Sequence, residues 1–120
     1  MEVKKIIVIR FRRVGDAILS SALCTSLRKT FPKAEIHYVL NKEIAPLFEQ
    51  HLDIDRVISF SKEDMSSFFT YIKKVRSIMK EGRYDIIIDT RATIKTMFFS
   101  IFSLKTKYRI GRKKEYNQFI

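Results

Sequence analysis

The chain opens, after four residues, with the sequence KIIVIRFRRVGD, residues 5–16. The run of β-branched residues from Ile6 to Ile9 predicts a buried strand, and a helical pattern begins near Asp16. In open α/β sheets ligands bind at the carboxyl end of a strand, beside the N-terminus of the following helix. This stretch therefore predicts an α/β fold with a binding site at the turn, where Asp16 is a candidate base.

Three further β-branched runs follow, at residues 36–40, 57–60 and 86–88, and helical spacing fills the gaps between them. Alternating strands and helices predict a Rossmann-like, mostly parallel sheet flanked by helices. We expect four helices: from Asp16 to just before Pro32, Glu43–Gln50, about Lys62 to Glu81, and Ala92–Leu104.

Helical spacing also predicts which helix faces are buried. For the first helix these positions are Ile18, Leu19, Ala22, Leu23 and Leu27. For the third they are Met65, Phe68, Phe69, Ile72, Val75 and Met79, with Gly82 as the C-terminal stop.

The basic face of the third helix, with Lys73, Lys74, Arg76 and Lys80, could contact an anion or could simply be solvated. The last helix is more apolar than one core-facing stripe requires, so it could cover a second domain, a partner chain or a lipid surface.

Composition is typical of a globular protein with an anionic partner. The 120 residues are 46% hydrophobic and carry a formal net charge of +11, which indicates one domain over residues 1–120 that binds nucleic acid, acidic lipid or an acidic sugar. Cys24, the single cysteine, is expected to be a reduced core residue. We find no signal peptide and no membrane-spanning apolar run, and therefore expect a cytoplasmic protein.

Other chemistries find little support in the sequence. It has no Gly-x-Gly-x-x-Gly turn and no phosphate-binding loop with Gly-Lys. His37 and His51 lack partners at metal-ligand spacing, so we expect no metal site. Asp89 ends a strand, as the phosphorylated aspartate of phosphoacceptor domains does. Such domains also need a cluster of acidic residues, and Asp16 alone does not make one, so the sequence gives this class of protein little support.

A family resemblance runs through the chain in order. Its blocks are Gly15-Asp16 after the first strand, FPKAEI at 31–36, APLF at 45–48, DIDRVI at 53–58, YDIIID at 84–89 and RIG at 109–111. Together these resemble the ADP-heptose:lipopolysaccharide heptosyltransferases of glycosyltransferase family 9. The chain departs from the family at His51-Leu52, where Asn-Pro is frequent, and at Arg91-Ala92, where Gln-Gly or His-Gly is common.

The resemblance implies the N-terminal, acceptor-side domain of a two-domain GT-B enzyme. Such an enzyme transfers heptose or a related sugar from an ADP-sugar to a lipopolysaccharide core or similar glycan, without a metal or other cofactor. The donor, ADP-heptose, would be bound mainly by a C-terminal domain that is absent from this chain. We therefore expect these 120 residues alone to be inactive and read their tail as a truncation. The resemblance also implies an anionic glycolipid acceptor and peripheral contact with the cytoplasmic face of the inner membrane.

The resemblance assigns Asp16 the role of general base. From the residues alone, helix capping is the favoured explanation of an aspartate here. Guanidinium groups suit carboxylates and phosphates, so we expect acceptor contacts from Arg10, Arg12 and Arg13. Gly15 would allow close backbone approach, and Arg91, just past the fourth strand, would lie on the same rim of the sheet.

The alternative function is a standalone basic α/β domain that binds an anionic partner such as nucleic acid. The aromatic residues lie mostly within apolar helical patterns rather than on an exposed stacking surface. We therefore do not expect nucleic acid to be the partner.

Overall fold

A computed structural model of the chain describes residues 3–10, 14–89, 99 and 108–111. Its five strands form one sheet in the order β3-β2-β1-β4-β5, in which every hydrogen-bonded pair is parallel. The strands are β1 (Lys5–Ile9), β2 (Glu35–Asn41), β3 (Arg56–Phe60), β4 (Ile86–Asp89) and β5 (Tyr108–Gly111). The helices are α1 (Val14–Thr30), α2 (Phe68–Gly82) and the short 3₁₀ helix Ala45–Phe48. The predicted Rossmann-like fold is confirmed.

Both faces of the sheet are covered. In β1, Ile6 and Val8 pack into the core beneath α1, whereas Ile7 and Ile9 pack into the core beneath α2. Because neither face of the central strands meets water, their sequences are mostly apolar, with His37 and Asp89 as buried exceptions. This is why the strands were the most predictable elements.

Helix α1 buries a different face from the one predicted. Its small residues Ala17, Ser21 and Cys24 are buried with Leu27, while Ala22 is exposed and the side chains of Ile18 and Leu19 are 55% and 75% exposed. Small residues let the helix approach the sheet closely, and the Tyr38 hydroxyl donates a hydrogen bond of 2.8 Å to the carbonyl of Ala17. The prediction was right for Leu27 and for the buried Cys24, and also for Leu23, which is partly buried and packs against this core. It was wrong for Ile18, Leu19 and Ala22.

Helix α2 is shorter than predicted and begins at Phe68 rather than near Lys62. The preceding residues form turns, and the Ser67 side chain caps the helix by accepting a hydrogen bond from the Thr70 amide at 3.1 Å. The buried residues are Tyr71, Val75, Met79 and Gly82. Phe68 and Phe69, predicted to be core residues, are exposed because they lie in the first turn, beyond the part of the helix that packs on the sheet.

The end of α2 is as predicted, although the residue in the left-handed conformation is Arg83 (φ 48°) rather than Gly82. The Arg83 amide donates to the carbonyl of Met79. The helix predicted over Glu43–Gln50 is reduced to the 3₁₀ turn. Most of the one predicted over Ala92–Leu104 lies outside the described residues, apart from the buried, helical Phe99.

No described helix combines the length and the apolar character that crossing a lipid bilayer requires.

Candidate functional site

The strand order places a crevice between β1 and β4. The chain runs outward from β1 to β2 and β3 and then returns to add β4 on the other side of β1. Ile9 pairs with Asp89, so the carboxyl ends of the two strands lie side by side. Helix α1 begins at Val14, just after β1. Such a switch point is the preferred ligand position in open α/β sheets.

An ion pair between Arg10 and Asp16 lies at this edge. Arg10 Nη2 and Asp16 Oδ2 are 2.7 Å apart, and their side chains are 10% and 38% exposed. The amide of Arg10 also donates to the carbonyl of Val39 at 2.9 Å, which extends the ladder between β1 and β2 by one residue. A buried, anchored guanidinium therefore holds a carboxylate that remains accessible to solvent.

Asp16 does not occupy the N-cap position of α1. It is the third residue of the helix rather than the residue preceding it. Among the described residues, the partner of its carboxylate is Arg10. A carboxylate has about four lone-pair sites, so one contact from Arg10 leaves room for another donor. The first turn of a helix also favours negative charge electrostatically.

Asp89 ends β4 beside this pair but is only 4% exposed. Burial raises the pKa of Tyr71, and the negative charge of Asp89 raises it further. The carboxyl group of Asp89 thus lies within the core, close enough to act on the Tyr71 phenol. This position agrees with a structural role for Asp89 beneath the crevice.

Of the predicted site residues, the structure brings Arg10 and Asp16 into contact and makes Gly15 the second residue of α1. Arg12, Arg13 and Arg91 lie outside the described residues. Their predicted acceptor contacts stay predictions.

Sequence reasoning missed Asn41. It is the last residue of β2, on the strand next to β1, and it ends at the same edge of the sheet. Its Oδ1 atom is buried and has no hydrogen-bond partner in the described part of the chain. A polar residue that closes an apolar strand was the available signal, because buried amide oxygens normally accept a hydrogen bond.

The described residues contain no group of three or more histidine, cysteine, aspartate or glutamate side chains placed to hold a metal ion. Organic groups such as hydroxyls and phosphates suit the observed guanidinium and carboxylate better.

Comparisons with known proteins point to glycosyltransferases. No protein-family model matches the sequence. Lipopolysaccharide heptosyltransferase 3 from Escherichia coli is 25% identical in an alignment of 81 residues that covers 62% of this chain and 23% of that protein. The solved glycosyl transferase family 9 protein from Veillonella parvula has a TM-score of 0.80 at 23% identity, over all of this chain and 35% of its own.

A third comparison is with the structure of the ADP-heptose lps heptosyltransferase II from E. coli, with a TM-score of 0.75 and 23% identity. It covers 95% of this chain and 32% of that one. The resemblance to the heptosyltransferases of glycosyltransferase family 9 is confirmed. The solved structures establish the α/β fold, and the chain spans about a third of their length and less than a quarter of the curated relative.

Proposed function

We propose that this chain is the acceptor-side domain of a glycosyltransferase that moves heptose, or a related sugar, from an ADP-sugar to a lipopolysaccharide core or similar glycan. The observation that carries the proposal is the Arg10–Asp16 pair at the β1–β4 switch point. The named activities of the relatives, all of them heptosyltransferases or family 9 glycosyltransferases, supply the reaction class.

Asp16 would act as the general base. Transfer requires removal of a proton from the acceptor hydroxyl as its oxygen attacks the anomeric carbon of the donor. The Asp16 carboxylate is exposed enough to meet such a hydroxyl and is fixed in one orientation by Arg10. Fixed orientation matters because small misplacements of a catalytic group cost large factors in rate.

Arg10 has two roles in this proposal. Its guanidinium positions Asp16, and its charge would draw an anionic acceptor toward the crevice. Arg12, Arg13 and Arg91 are proposed as further acceptor contacts, with Gly15 admitting the acceptor close to the backbone. The net charge of +11 is consistent with a phosphorylated or carboxylated glycan.

The sugar donor would be bound mainly by residues outside this chain. Because the chain spans about a third of the length of the solved structures it resembles, we propose that the ADP moiety is bound mainly by a donor domain outside these 120 residues. These residues alone would then transfer nothing.

Nucleic-acid binding fits the described residues less well. Base stacking needs exposed aromatic rings distributed along a basic groove. Tyr38, Phe60, Tyr71 and Tyr84 are buried, and the exposed Phe68 and Phe69 lie together in the first turn of α2. We therefore keep glycosyl transfer as the proposed function.

The experiment uses the natural gene product that contains this chain. It is incubated with ADP-heptose and a lipopolysaccharide core that lacks heptose, and the acceptor is weighed by mass spectrometry. The proposal predicts the added mass of one heptose and release of ADP. An acceptor of unchanged mass, with the donor intact, would contradict it.

A further inference from the structure

The outer face of α2 carries a row of exposed side chains that the proposed reaction does not use. Phe69, Lys73, Arg76 and Lys80 are all exposed, and their spacing of four, three and four residues aligns them along one side of the helix. We refer to these four residues as the α2 stripe. Eleven residues of rise make the stripe about 16 Å long.

The three cations of the stripe are available to an external anion. In the part of the chain that the structure describes, Lys73, Arg76 and Lys80 make no ion pair. Their neighbour Lys74 is different, because its Nζ lies 2.8 Å from Asp64 Oδ2 and donates to the carbonyl of Ser59 at 2.6 Å. The helix thus separates one internally paired lysine from a row of unpaired cations.

Phe69 supplies an apolar group at one end of the row. Its side chain is 83% exposed, and its ring lies beside that of Phe68, which is 60% exposed, with 6.1 Å between ring centroids. Large aromatic side chains gain free energy when they leave water, so two adjacent exposed rings indicate a surface that is covered in use.

We propose that the α2 stripe docks the protein on an anionic phospholipid bilayer. The helix lies parallel to the surface, Lys73, Arg76 and Lys80 meet lipid phosphates, and Phe69 enters the boundary between headgroups and acyl chains. RNA also offers phosphates, but a strand of bases favours aromatic rings interleaved with the cations. Here the exposed aromatic residues are grouped at one end of the row and are not interleaved with its cations.

This docking goes beyond the proposed transfer reaction and does not depend on it. Vesicle binding needs no sugar donor, no acceptor and no Asp16. A failure of docking and a failure of sugar transfer are therefore separate results.

The test is co-sedimentation of the natural gene product that contains this chain with vesicles. One set contains phosphatidylcholine alone, and the other contains phosphatidylcholine with an equal share of phosphatidylglycerol. We expect binding to the anionic vesicles only, weakened by added salt because the charges at the surface are screened. Absence of binding to the anionic vesicles at low salt would overturn the proposal.

Variants locate the binding on the stripe. Replacing Lys73, Arg76 and Lys80 together by Gln should weaken vesicle binding about 100-fold, since each cation near an anionic surface contributes about fivefold. Phe69→Ala should weaken it about tenfold through lost apolar burial. Circular dichroism checks that each variant keeps its fold.

Matched control variants distinguish vesicle binding by the α2 stripe from binding that depends only on net charge or on any exposed apolar side chain. The triple change of Lys4, Lys29 and Lys33 to Gln removes the same charge from exposed positions outside α2, and Leu52→Ala trims a side chain that is 95% exposed. Both controls should bind within about threefold of the parent chain, as expected of screened charges away from the contact. Equal weakening by the control triple would overturn the proposal, as would a stripe triple that loses single-stranded RNA binding while keeping vesicle binding.

Discussion

Arg10 and Asp16 are joined by a 2.7 Å contact between the residue that follows β1 and the first turn of α1. The arginine is buried, and its amide is tied to Val39 on the neighbouring strand. The aspartate is only partly covered. This difference makes Arg10 a fixed support and Asp16 the member of the pair that can meet a ligand.

Replacement of Arg10 should therefore leave the Asp16 carboxylate in place but without a fixed orientation. We expect Arg10→Met in the natural gene product to lower the kcat of heptose transfer about 10- to 100-fold, because the carboxylate loses its orientation. Arg10→Lys should retain more activity, since it keeps the charge but not the guanidinium fork. Steady-state kinetics measure both effects, and an Arg10→Met enzyme with parental kcat would contradict the positioning role.

The sequence predicted the strands better than the helix faces. Continuous β-branched runs such as Ile6 to Ile9 can fill only a strand that is buried on both sides, so they marked the sheet directly. The helices contain more large apolar residues than the core accepts. The buried side of α1 was therefore decided by close contact of Ala17, Ser21 and Cys24 with the sheet, which residue hydropathy does not reveal.

The candidate site was likewise predictable only in part. The position of Asp16 after the first strand was enough to nominate it, because topology fixes where strand ends lie. Its pairing with Arg10 depends on side-chain geometry that the sequence alone does not give. Asn41 was missed because its buried amide oxygen becomes notable only when the packing around the end of β2 is known.

His37 links pH to stability at the opposite edge of the sheet. Its Nδ1 lies 2.6 Å from the Tyr84 hydroxyl and its Nε2 lies 3.1 Å from Glu35 Oε2. Burial lowers the pKa of His37, partly offset by the hydrogen bond and charge of Glu35, while Lys5 and Arg56 lower it further. The folded protein therefore favours neutral histidine more strongly than the unfolded chain does.

The sign of the pH effect follows from proton counts. Below the ordinary histidine pKa of 6.5, the unfolded chain binds the proton more readily than the folded one, so the free energy of unfolding falls as pH decreases from 7 toward the lowered pKa of His37. Urea denaturation at pH 7 and pH 5 should show a smaller decrease for His37→Gln than for the parent. His51→Gln is the control, and identical decreases in parent and His37→Gln would refute this linkage.

Gly82 and Arg83 at the end of α2 should respond in opposite directions. A Cβ atom at Gly82 would overlap the buried ring of Tyr84, so Gly82→Ala should lower the free energy of unfolding by about 1–3 kcal/mol. Arg83 holds the left-handed conformation, so Arg83→Gly should raise it by up to about 1 kcal/mol. Thermal and urea denaturation test the pair, and destabilisation by Arg83→Gly would count against this assignment of the helix end.

Cys24 should be chemically silent in the folded protein. Burial, with a smaller contribution from the charge of Asp53, raises the pKa of its thiol from 9.0 to about 12. At pH 8 the thiolate that reacts with iodoacetamide is therefore scarce, and the side chain is inaccessible. Mass spectrometry should show slow labelling that becomes fast in denaturant. Labelling of the native protein at the rate of a free thiol would show that Cys24 is not in the core.

The direct test of the account is Asp16→Asn in the natural gene product, assayed for transfer of heptose from ADP-heptose to a heptose-free lipopolysaccharide core. Asparagine keeps the size of the side chain but cannot take the proton, so we predict a loss in kcat of about 10²–10⁴-fold with an unchanged circular dichroism spectrum. Glu81→Gln, at an exposed carboxylate in the last turn of α2 near the amino end of β1, should keep parental activity. Transfer by Asp16→Asn within a few-fold of the parent would contradict the assignment of Asp16 as the base.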